Sequence, residues 1–376
     1  MKRITLIICI LLILSYIFFF FKNRKKKPIS ELNNYLNATI YPNSIIIYEY
    51  NNYHFECLPG YIKYFTDLGF NVDVIIKKSG IKSLEYFEPM NKIRIFTYDH
   101  PNELKENKIL FKKKFNMYNY SLLHTISFQK DRVKLFKNLG FYDNPNSLFV
   151  LHALDQLEML GLEKYVQKNH VFGLADYGKL NYINPNYFGN LDFSHKKNKK
   201  IIFYVTSSIN KYYSYLILAV RNLKNKAFDF EIDITGWNKN LNKKIIPQDI
   251  RQYFHFHGLV SYTKLYSIIL KTDFIIMNLF PDNEIDIVFK TFRATGSAQL
   301  SYGFNRPVIV EESFAKVYKF SNQTAIIFKN HDLSDAMERA IQMSEKEYKD
   351  MTYNVKLLRE SIYNISLNNL KKALHI

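Results

Sequence analysis

The hydrophobic positions fall into two series of short apolar runs, and a polar loop and an amphipathic segment follow most of them. The first series comprises residues 44–48, 71–76, 93–96, 120–123, 147–151 and 171–174. The second comprises residues 200–205, 228–234, 253–260, 273–279, 308–310 and 325–328. Runs of this length and β-branched content are typical of buried strands. Because helical segments alternate with them, we predict βαβ units with parallel sheets, and hence an α/β fold with two Rossmann-like domains.

Helical periodicity and polar tracts divide the chain further. The helical pattern is clearest at residues 61–68, 215–223, 262–270, 332–343 and 345–358. We interpret residues 28–43 as a linker with a short helix, and the polar, basic tract at 194–200 as an exposed linker between domains. The predicted units are therefore a first domain at 28–195, a second domain at 196–345 and a final helical segment at 346–376.

Residues 4–21 form an uninterrupted apolar run without a charge, which is just long enough to cross a bilayer. Lys2 and Arg3 precede it, and a larger basic block follows at residues 22–27. A signal peptide would have a shorter apolar stretch and a small-residue cleavage site. We therefore predict that residues 1–27 form a membrane anchor with its basic flank, so that the protein is a single-pass membrane protein. The heavier positive flank after the run predicts that the large part of the chain that follows it is cytoplasmic.

Composition limits the possible partners. The 376 residues suit two domains, 47% of them are hydrophobic, and the formal net charge is +18. Zinc patterns, RNA-binding signatures and a concentrated basic helix are all missing from the sequence, so nucleic acid is not a predicted partner. An anionic membrane surface and an anionic substrate explain the charge more simply.

The two cysteines, Cys9 and Cys57, lie in the apolar run and in the body of the chain, which makes an intramolecular disulfide implausible.

Residues 295–310 carry the strongest functional pattern. The small residues Thr295, Gly296 and Ser297 precede an amphipathic run, which Gly303 is predicted to end before the strand that follows Pro307. The first turn of such a helix exposes unpaired N–H groups and the positive end of the helix dipole. An adjacent glycine lets a ligand approach the backbone, so this turn predicts an anion site, typically for phosphate.

Two longer segments resemble a known family. "DFIIMNLFP" and "KTFRATGSAQLSYGFNRPVIV" look like the donor-binding segment of GT-B glycosyltransferases, especially the large retaining group called glycosyltransferase family four. "HFECLPGYIKYFTDLGFNVDVII" resembles the start of their acceptor domain. The chain departs from the family in a spacing from Gly303 to Pro307 that is two residues longer. It also lacks the usual acidic residue in the helix, where Gln299 or Ser301 lies nearest.

The resemblance implies a GT-B fold, with two Rossmann-like domains facing across a cleft and a terminal helix that crosses back onto the first domain. It assigns the nucleotide-sugar donor to the second domain. Lys211 matches the basic residue that grips the diphosphate, as a flexible point charge can. The complete set of implied donor-binding residues is Thr206, Ser207, Lys211, Val260, Tyr262, Lys290, Arg293, Thr295, Gly296, Ser297 and Gln299.

The candidate catalytic residues lie in the first domain. His54 and Glu56 stand on the loop after the first strand, and His152 follows the strand at residues 147–151. The carboxyl ends of strands are where doubly wound sheets bind ligands, so these side chains can face an acceptor. The alternatives are a surface histidine and a helix-capping glutamate for the first two, and a structural histidine for His152. The same argument applies, less strongly, to His124, which follows the predicted strand at residues 120–123.

No metal or other cofactor is predicted. His255 and His257 alternate with aromatic residues and share one face of a strand, but no third ligand is evident. Cationic side chains can neutralise the diphosphate instead of a metal ion.

The sequence thus predicts a membrane-anchored glycosyltransferase that moves a sugar from a nucleotide-sugar donor to a glycan or lipid-linked acceptor. We expect the sugar to be a hexose. Two alternatives stay open. One is a catalytically silent GT-B-like scaffold, which the missing acidic residue suggests. The other is a sugar-nucleotide epimerase, whose product would be a free nucleotide sugar rather than a glycoside.

Overall fold

The computed structural model of the protein describes residues 29–49, 54–87, 92–125, 130–191, 193, 197–207, 213–236 and 244–376. Within these residues the strands form two separate parallel sheets with helices packed around them. The predicted α/β class is therefore confirmed. Lys211 and the predicted domain boundary at residues 195 and 196 lie outside the described residues.

The first sheet has seven strands in the order β1-β4-β3-β2-β5-β6-β7. These are β1 Ile29–Glu31, β2 Ser44–Glu49, β3 Asn71–Lys77, β4 Ile93–Tyr98, β5 Tyr120–Thr125, β6 Ser147–Leu151 and β7 Val171–Gly173. The helices of this half are α1 Leu32–Asn37, α2 Leu58–Asp67, α3 Pro101–Glu106, α4 Lys108–Phe115, α5 Lys130–Leu139, α6 Gln156–Leu160 and α7 Glu163–Val166. Short 3-10 turns occupy Phe55–Cys57 and Lys78–Leu84.

The second sheet has six strands in the order β10-β9-β8-β11-β12-β13. These are β8 Ile201–Ser207, β9 Phe230–Gly236, β10 Phe254–Gly258, β11 Phe274–Ile276, β12 Val308–Glu311 and β13 Ala325–Phe328. The helices here are α8 Ser214–Asn225, α9 Tyr262–Ile269, α10 Glu284–Thr291, α11 Gly296–Phe304, α12 Glu312–Val317, α13 Leu333–Gln342 and α14 Glu345–Leu374. A 3-10 turn at Gln248–Tyr253 precedes β10.

Both sheets have the doubly wound strand order of dinucleotide-binding folds. Numbered from β2, the first sheet runs 3-2-1-4-5-6 once the extra edge strand β1 is set aside, and the second runs the same way from β8. The order reverses between β2 and β5, and again between β8 and β11. Ligands of such sheets bind in the crevice beyond the carboxyl ends of the strands at this reversal.

The central strands are buried on both faces. All six residues of β2 are buried, and alternate side chains enter two different cores. Ile45 and Ile47 pack on one side, whereas Ile46 and Tyr48 pack on the other. Helices on both faces explain why this strand is a continuous apolar run rather than an alternating one.

The segment at residues 28–43 contains the predicted short helix but also a strand that the prediction of a linker lacked. Ile29–Glu31 is a strand that pairs with the edge strand β4, and the helix Leu32–Asn37 follows it directly. A strand of three residues is too short to show a period, so the sequence could not have identified it.

The last helix is also longer than its pattern suggested. Glu345–Leu374 is one helix of 30 residues, begun by a capping box between Ser344 and Glu347. Near its start, the Tyr348 hydroxyl donates to the Asp273 carbonyl of the second half at 3.1 Å. Near its end, the Leu374 carbonyl accepts from the Tyr120 hydroxyl of the first half at 2.9 Å. The helix therefore spans both halves of the molecule.

Gly303 does not end α11, contrary to the prediction. The helix continues to Phe304, and Asn305 supplies the left-handed terminus at φ 51°. A Cβ on Gly303 would lie 1.9 Å from Cε2 of Phe188, which comes from the segment at residues 184–190. Residues 184–190 run between the two sheets, and we use the name linker for this segment alone. The missing side chain of Gly303 therefore lets the linker pack directly against α11.

The predicted single-pass membrane localisation needs correction. Over the part of the chain that the structure describes, helices long and apolar enough to cross a bilayer are lacking. The run at residues 4–21, on which the prediction rested, lies outside the described residues. We therefore withdraw the predicted membrane localisation.

We expect Gly303→Ala to lower the free energy of unfolding by about 1–3 kcal/mol, because the new methyl group overlaps the Phe188 ring and forces α11 and the linker apart. Urea unfolding of the full-length protein measures this change. Gly296→Ala is the matched control, because a Cβ there meets nothing within 4 Å. Equal stability of the two variants would contradict the close packing.

Candidate functional site

Residues 54–57, the described part of the loop after β2, form what we call the first wall, at the carboxyl end of that strand. His54 has a left-handed backbone with φ 67°, a conformation uncommon outside glycine and tolerated by histidine. The turn Phe55–Cys57 follows and directs the Glu56 carboxylate back, so that its Oε1 lies 2.9 Å from Nδ1 of His54. Both side chains stay partly accessible, with 35% and 18% of their surfaces exposed. The two candidates are therefore a hydrogen-bonded pair at the crevice.

The pair adjusts the protonation of both members. Burial alone would lower the pKa of His54, but the charge and hydrogen bond of Glu56 outweigh it and raise the pKa above 6.5. Burial would raise the pKa of Glu56, yet His54 and the neighbouring Tyr262 hydroxyl lower it instead. Glu56 is thus a carboxylate at neutral pH, and His54 titrates above the usual histidine value.

Beneath this pair lies a buried layer that sequence reasoning did not assemble. Glu49 ends β2 and His124 lies near the end of the neighbouring strand β5, with Oε2 and Nδ1 3.6 Å apart. Both side chains are almost fully buried, and the Tyr61 ring meets the His124 ring edge-to-face at 5.2 Å. Burial, then the charge of His54, lowers the pKa of His124 to about 3. The available signal was that both residues stand near the carboxyl ends of the strands beside the reversal.

His152 connects this wall to the opposite one. Its ring centroid lies 5.1 Å from that of His54, and its Nδ1 has no hydrogen-bond partner among the described residues. Burial, followed by the charges of His54, His124 and Arg293, lowers its pKa well below 6.5. His152 is therefore a neutral imidazole at physiological pH.

A backbone bridge joins the loop after β6 to the segment before α11. Ala153 and Arg293 form an antiparallel bridge, and the Leu154 N–H donates to the Phe292 carbonyl at 2.9 Å. The Ala294 N–H donates to the His152 carbonyl at 3.4 Å. These contacts place His152 beside Arg293 and only a few residues from the start of α11.

The second wall is the first turn of α11. The Thr295 hydroxyl caps the helix by accepting from the Ser297 N–H at 3.3 Å. Gly296 is exposed, and space is open where its side chain would be. The Thr206 hydroxyl, near the end of β8, lies 3.4 Å from the Ser297 hydroxyl. The structure therefore brings Thr206, Thr295, Gly296 and Ser297 together at the second strand-order reversal.

The other donor candidates are more dispersed. Val260 and Tyr262 flank Ser261, which caps α9, and the Tyr262 hydroxyl faces Glu56 of the first wall. Arg293 is exposed at the bridge, whereas the Lys290 ammonium lies over the Phe314 ring at 5.6 Å. The backbone of Ser207 ends β8, and Lys211 is outside the described residues.

Gln299 lies at the contact between the two halves rather than in open space. It is 8% exposed, and its Nε2 donates to the Pro185 carbonyl at 2.9 Å and lies 3.4 Å from the Cys57 sulfur. Burial raises the pKa of the Cys57 thiol well above 9.0, which keeps it neutral. In this conformation the Gln299 amide binds α11 to the linker.

His255 and His257 do share one face, but each has an acidic partner on β9. Their Nε2 atoms lie 3.2 Å from Glu231 and 2.6 Å from Asp233, respectively. Among the residues that the structure describes, no group of three or more histidine, cysteine, aspartate or glutamate side chains is placed to hold a metal ion.

As the pH is lowered, we expect the free energy of unfolding to decrease more steeply in the native protein than in a His124→Gln variant. Between pH 6.5 and about 3, the unfolded chain binds a proton at position 124 whereas the folded chain does not, so lowering the pH favours unfolding. One such group contributes a slope of about 1.4 kcal/mol per pH unit.

Urea unfolding of full-length protein at pH 6.5, 5.5 and 4.5 measures the two slopes. The exposed His375, changed to glutamine, provides a control that should keep the native slope. Parallel curves for native protein and His124→Gln would show that His124 is not held neutral.

Comparisons with known proteins give the fold a wider context. No family model matches the sequence, and a search of curated proteins found no significant relative. A glycosyltransferase from Rickettsia africae ESF-5 is structurally similar, with a TM-score of 0.58, 14% identity and coverage of 89% of this chain and 98% of that one. Anabaena HepE in complex with UDP gives a TM-score of 0.53 at 11% identity, covering 89% of this chain and 100% of HepE.

Identities this low establish the fold rather than the activity. The similarity extends over both sheets, because 89% of the chain is covered and nearly all of each similar structure is matched. It agrees with the strand order that the two sheets share. The predicted resemblance is confirmed at this level, and the chain has the GT-B fold.

Proposed function

We propose that the protein is a glycosyltransferase that moves a sugar, of the hexose class, from a nucleotide-sugar donor to a glycan or lipid-linked acceptor. The observation that carries this proposal is the backbone bridge at Ala153 and Arg293. It holds the His54, Glu56 and His152 cluster of one wall against the open first turn of α11 in the other. An acceptor hydroxyl and a donor diphosphate could therefore meet between these walls.

In this proposal the diphosphate binds at the start of α11. Its oxygens would accept hydrogen bonds from free N–H groups of the first turn and from the hydroxyls of Thr206 and Ser297. Arg293, with Lys211 and Lys290 from the sequence pattern, would supply positive charge as the leaving group develops negative charge. Tyr262 and Val260 would border the nucleoside. Anabaena HepE structures contain UDP or UDP-glucose, which leads us to propose a uridine nucleotide.

The acceptor would bind against the first wall. Since Nδ1 of His54 faces Glu56, its Nε2 is left to accept the proton of an acceptor hydroxyl. That oxygen then bonds to the anomeric carbon as the bond to the diphosphate breaks, and the nucleoside diphosphate departs. His152, held neutral, would accept a hydrogen bond that orients the acceptor.

The proposed division of labour follows the two sheets. Residues 28–195 would form the acceptor domain and residues 196–345 the donor domain, with residues 346–376 closing back onto the acceptor domain. The path of α14 supports the last assignment, because near its end the Leu374 carbonyl accepts from the Tyr120 hydroxyl and the Asn369 amide donates to the Tyr182 carbonyl of the first half.

One observation favours a second candidate, a catalytically silent GT-B-like scaffold. Gln299 stands nearest to the acidic residue that the resemblance leads one to expect, and its amide is engaged by Pro185 and Cys57. A scaffold of this kind could bind a nucleotide without transferring a sugar, so turnover of a nucleotide sugar separates the two candidates.

We expect UDP to raise the melting temperature of the full-length protein, because a ligand that binds only the folded state stabilises it. Ser297→Ala and Lys211→Ala should each reduce this shift by removing a hydroxyl or a cation from the phosphate site. Differential scanning fluorimetry with increasing UDP measures the effect.

Arg221→Gln serves as the control for charge, since Arg221 is exposed on α8 and pairs with Asp249. A shift of the melting temperature with UDP that is equal in all four proteins would place the nucleotide elsewhere. No shift with any nucleoside diphosphate would refute the donor assignment.

We expect the rate of sugar transfer to rise with pH through the pKa of His54, above 6.5, because only the neutral imidazole accepts the acceptor proton. Glu56→Gln removes the charge that raises this pKa. On the acid side of the pH–rate profile, which we call the acidic limb, kcat/KM of this variant should therefore decline at a lower pH than in the native protein. The maximal rate of the variant should fall about 10²-fold or more.

A pH–rate profile with a nucleotide sugar and a soluble glycan acceptor provides the measurement. Glu106→Gln, an exposed change in the same half of the molecule, should leave the limb in place. An unchanged limb in Glu56→Gln would remove His54 from the proposed proton transfer.

A further inference from the structure

A second cavity lies away from the cleft candidates, where the two halves are joined. Its volume is about 280 Å³, close to the roughly 300 Å³ at which small-ligand pockets begin. Three parts of the chain form its walls: α2 of the first half, the linker and the middle of α14. The lining residues are Lys63, Asn186, Tyr187, Arg359, Glu360, Tyr363 and Asn364. We call it the hinge pocket.

Arg359 is the unusual member of the hinge pocket. It is half-buried, and burial lowers its pKa although the charge of Glu360 acts in the opposite direction; among the described residues, no carboxylate lies within 4 Å of its guanidinium. Its guanidinium makes one long hydrogen bond, 3.4 Å to Oδ1 of Asn305, and lies 5.2 Å from the Phe193 ring centroid. Buried arginines are normally paired, because an unpaired buried charge is costly. The remaining N–H groups are therefore suited to an anionic oxygen ligand.

The rest of the lining adds a second cation and hydroxyl-binding groups. The Lys63 ammonium is 5.5 Å from the Tyr187 ring centroid and 5.6 Å from that of Tyr363, and Asp67 neutralises it at 2.9 Å. Glu360 and Asn364 are exposed at the rim and can bond to ligand hydroxyls. Because Asp67 neutralises Lys63, Arg359 is the cation of the lining that is left for the anionic group of a ligand, with Glu360 as the acidic residue beside it in the chain.

We propose that the hinge pocket binds a small hydroxyl-bearing anion, of the class of sugar phosphates and sugar acids, with its anionic group on Arg359. The site differs from the proposed donor site, which is built from β8 and the start of α11. Because its walls come from α2, the linker and α14, an occupant would touch parts of both halves. Binding there would couple to any change in the angle between the halves.

Isothermal titration of full-length protein tests this proposal with four probes: glucose 6-phosphate, glucuronate, glucose and inorganic phosphate. We expect glucose 6-phosphate or glucuronate to bind at least about tenfold more tightly than glucose, because only these can pair with Arg359. The preferred anion identifies its chemical class. Tighter binding of inorganic phosphate than of both sugar anions would refute the hydroxyl requirement. Equal binding of glucose would refute the anionic requirement.

Two variants locate the bound anion. Arg359→Gln should weaken it at least about tenfold, and the isosteric Asn364→Asp should weaken it by placing a negative charge in the pocket without removing packing. Lys349→Gln is the matched control on the same helix, since Lys349 is exposed and pairs with Glu345. If Asn364→Asp and Lys349→Gln bind the probe equally, the site is not in the hinge pocket.

Saturating UDP separates this proposal from the proposed function. The sugar anion should still bind when UDP is present, with the same stoichiometry, if the two sites are distinct. Loss of the probe on adding UDP would place it in the cleft and refute a hinge site. A protein that binds the probe at Arg359 but never transfers sugar would keep the hinge site and refute only the transferase.

Discussion

The close approach of the linker to two glycines is the constraint on which the cleft depends. Phe188 packs on Gly303 of α11, and Pro185 packs on Gly60 of α2, where a Cβ would lie 2.6 Å from its backbone. Between these contacts, the Gln299 amide donates to the Pro185 carbonyl. Packed interiors deform little, so this arrangement fixes α11 relative to the first sheet. The same helix presents its first turn to the crevice, and packing along the helix thus sets the position of the anion site at its start.

Three histidines near one reversal of strand order show how burial divides a single residue type into different chemical groups. His54 remains partly exposed beside Glu56, which raises its pKa above the usual value. His124 is enclosed beneath it, and its pKa falls to about 3. His152 is kept neutral by burial and by neighbouring positive charge. Only the first is suited to exchanging a proton near neutral pH, whereas the others are suited to accepting hydrogen bonds.

The hinge pocket and the cleft share structural supports. Asn186 of the linker donates to the Arg359 carbonyl, and the Arg359 guanidinium reaches Asn305 at the end of α11. A ligand on Arg359 would therefore be linked, through the hydrogen bond from Arg359 to Asn305, to the far end of the helix whose first turn faces the cleft. This continuity gives a physical route by which occupancy of one site could alter the other, through a packed helix.

The sequence by itself determined the α/β class, the positions of most strands and the small-residue turn at Thr295, because hydrophobic period and turn chemistry are local properties. It also identified His54, Glu56 and His152 as neighbours of strand ends. Tertiary structure decided what local patterns do not contain. The Phe188 ring fills the space beside Gly303, the Gln299 amide donates to the Pro185 carbonyl, and the Glu49 carboxylate lies beside the His124 ring. In each case the two residues are far apart in the chain. These contacts, like the Arg359 pocket, arise only when strand order and the linker bring distant segments together.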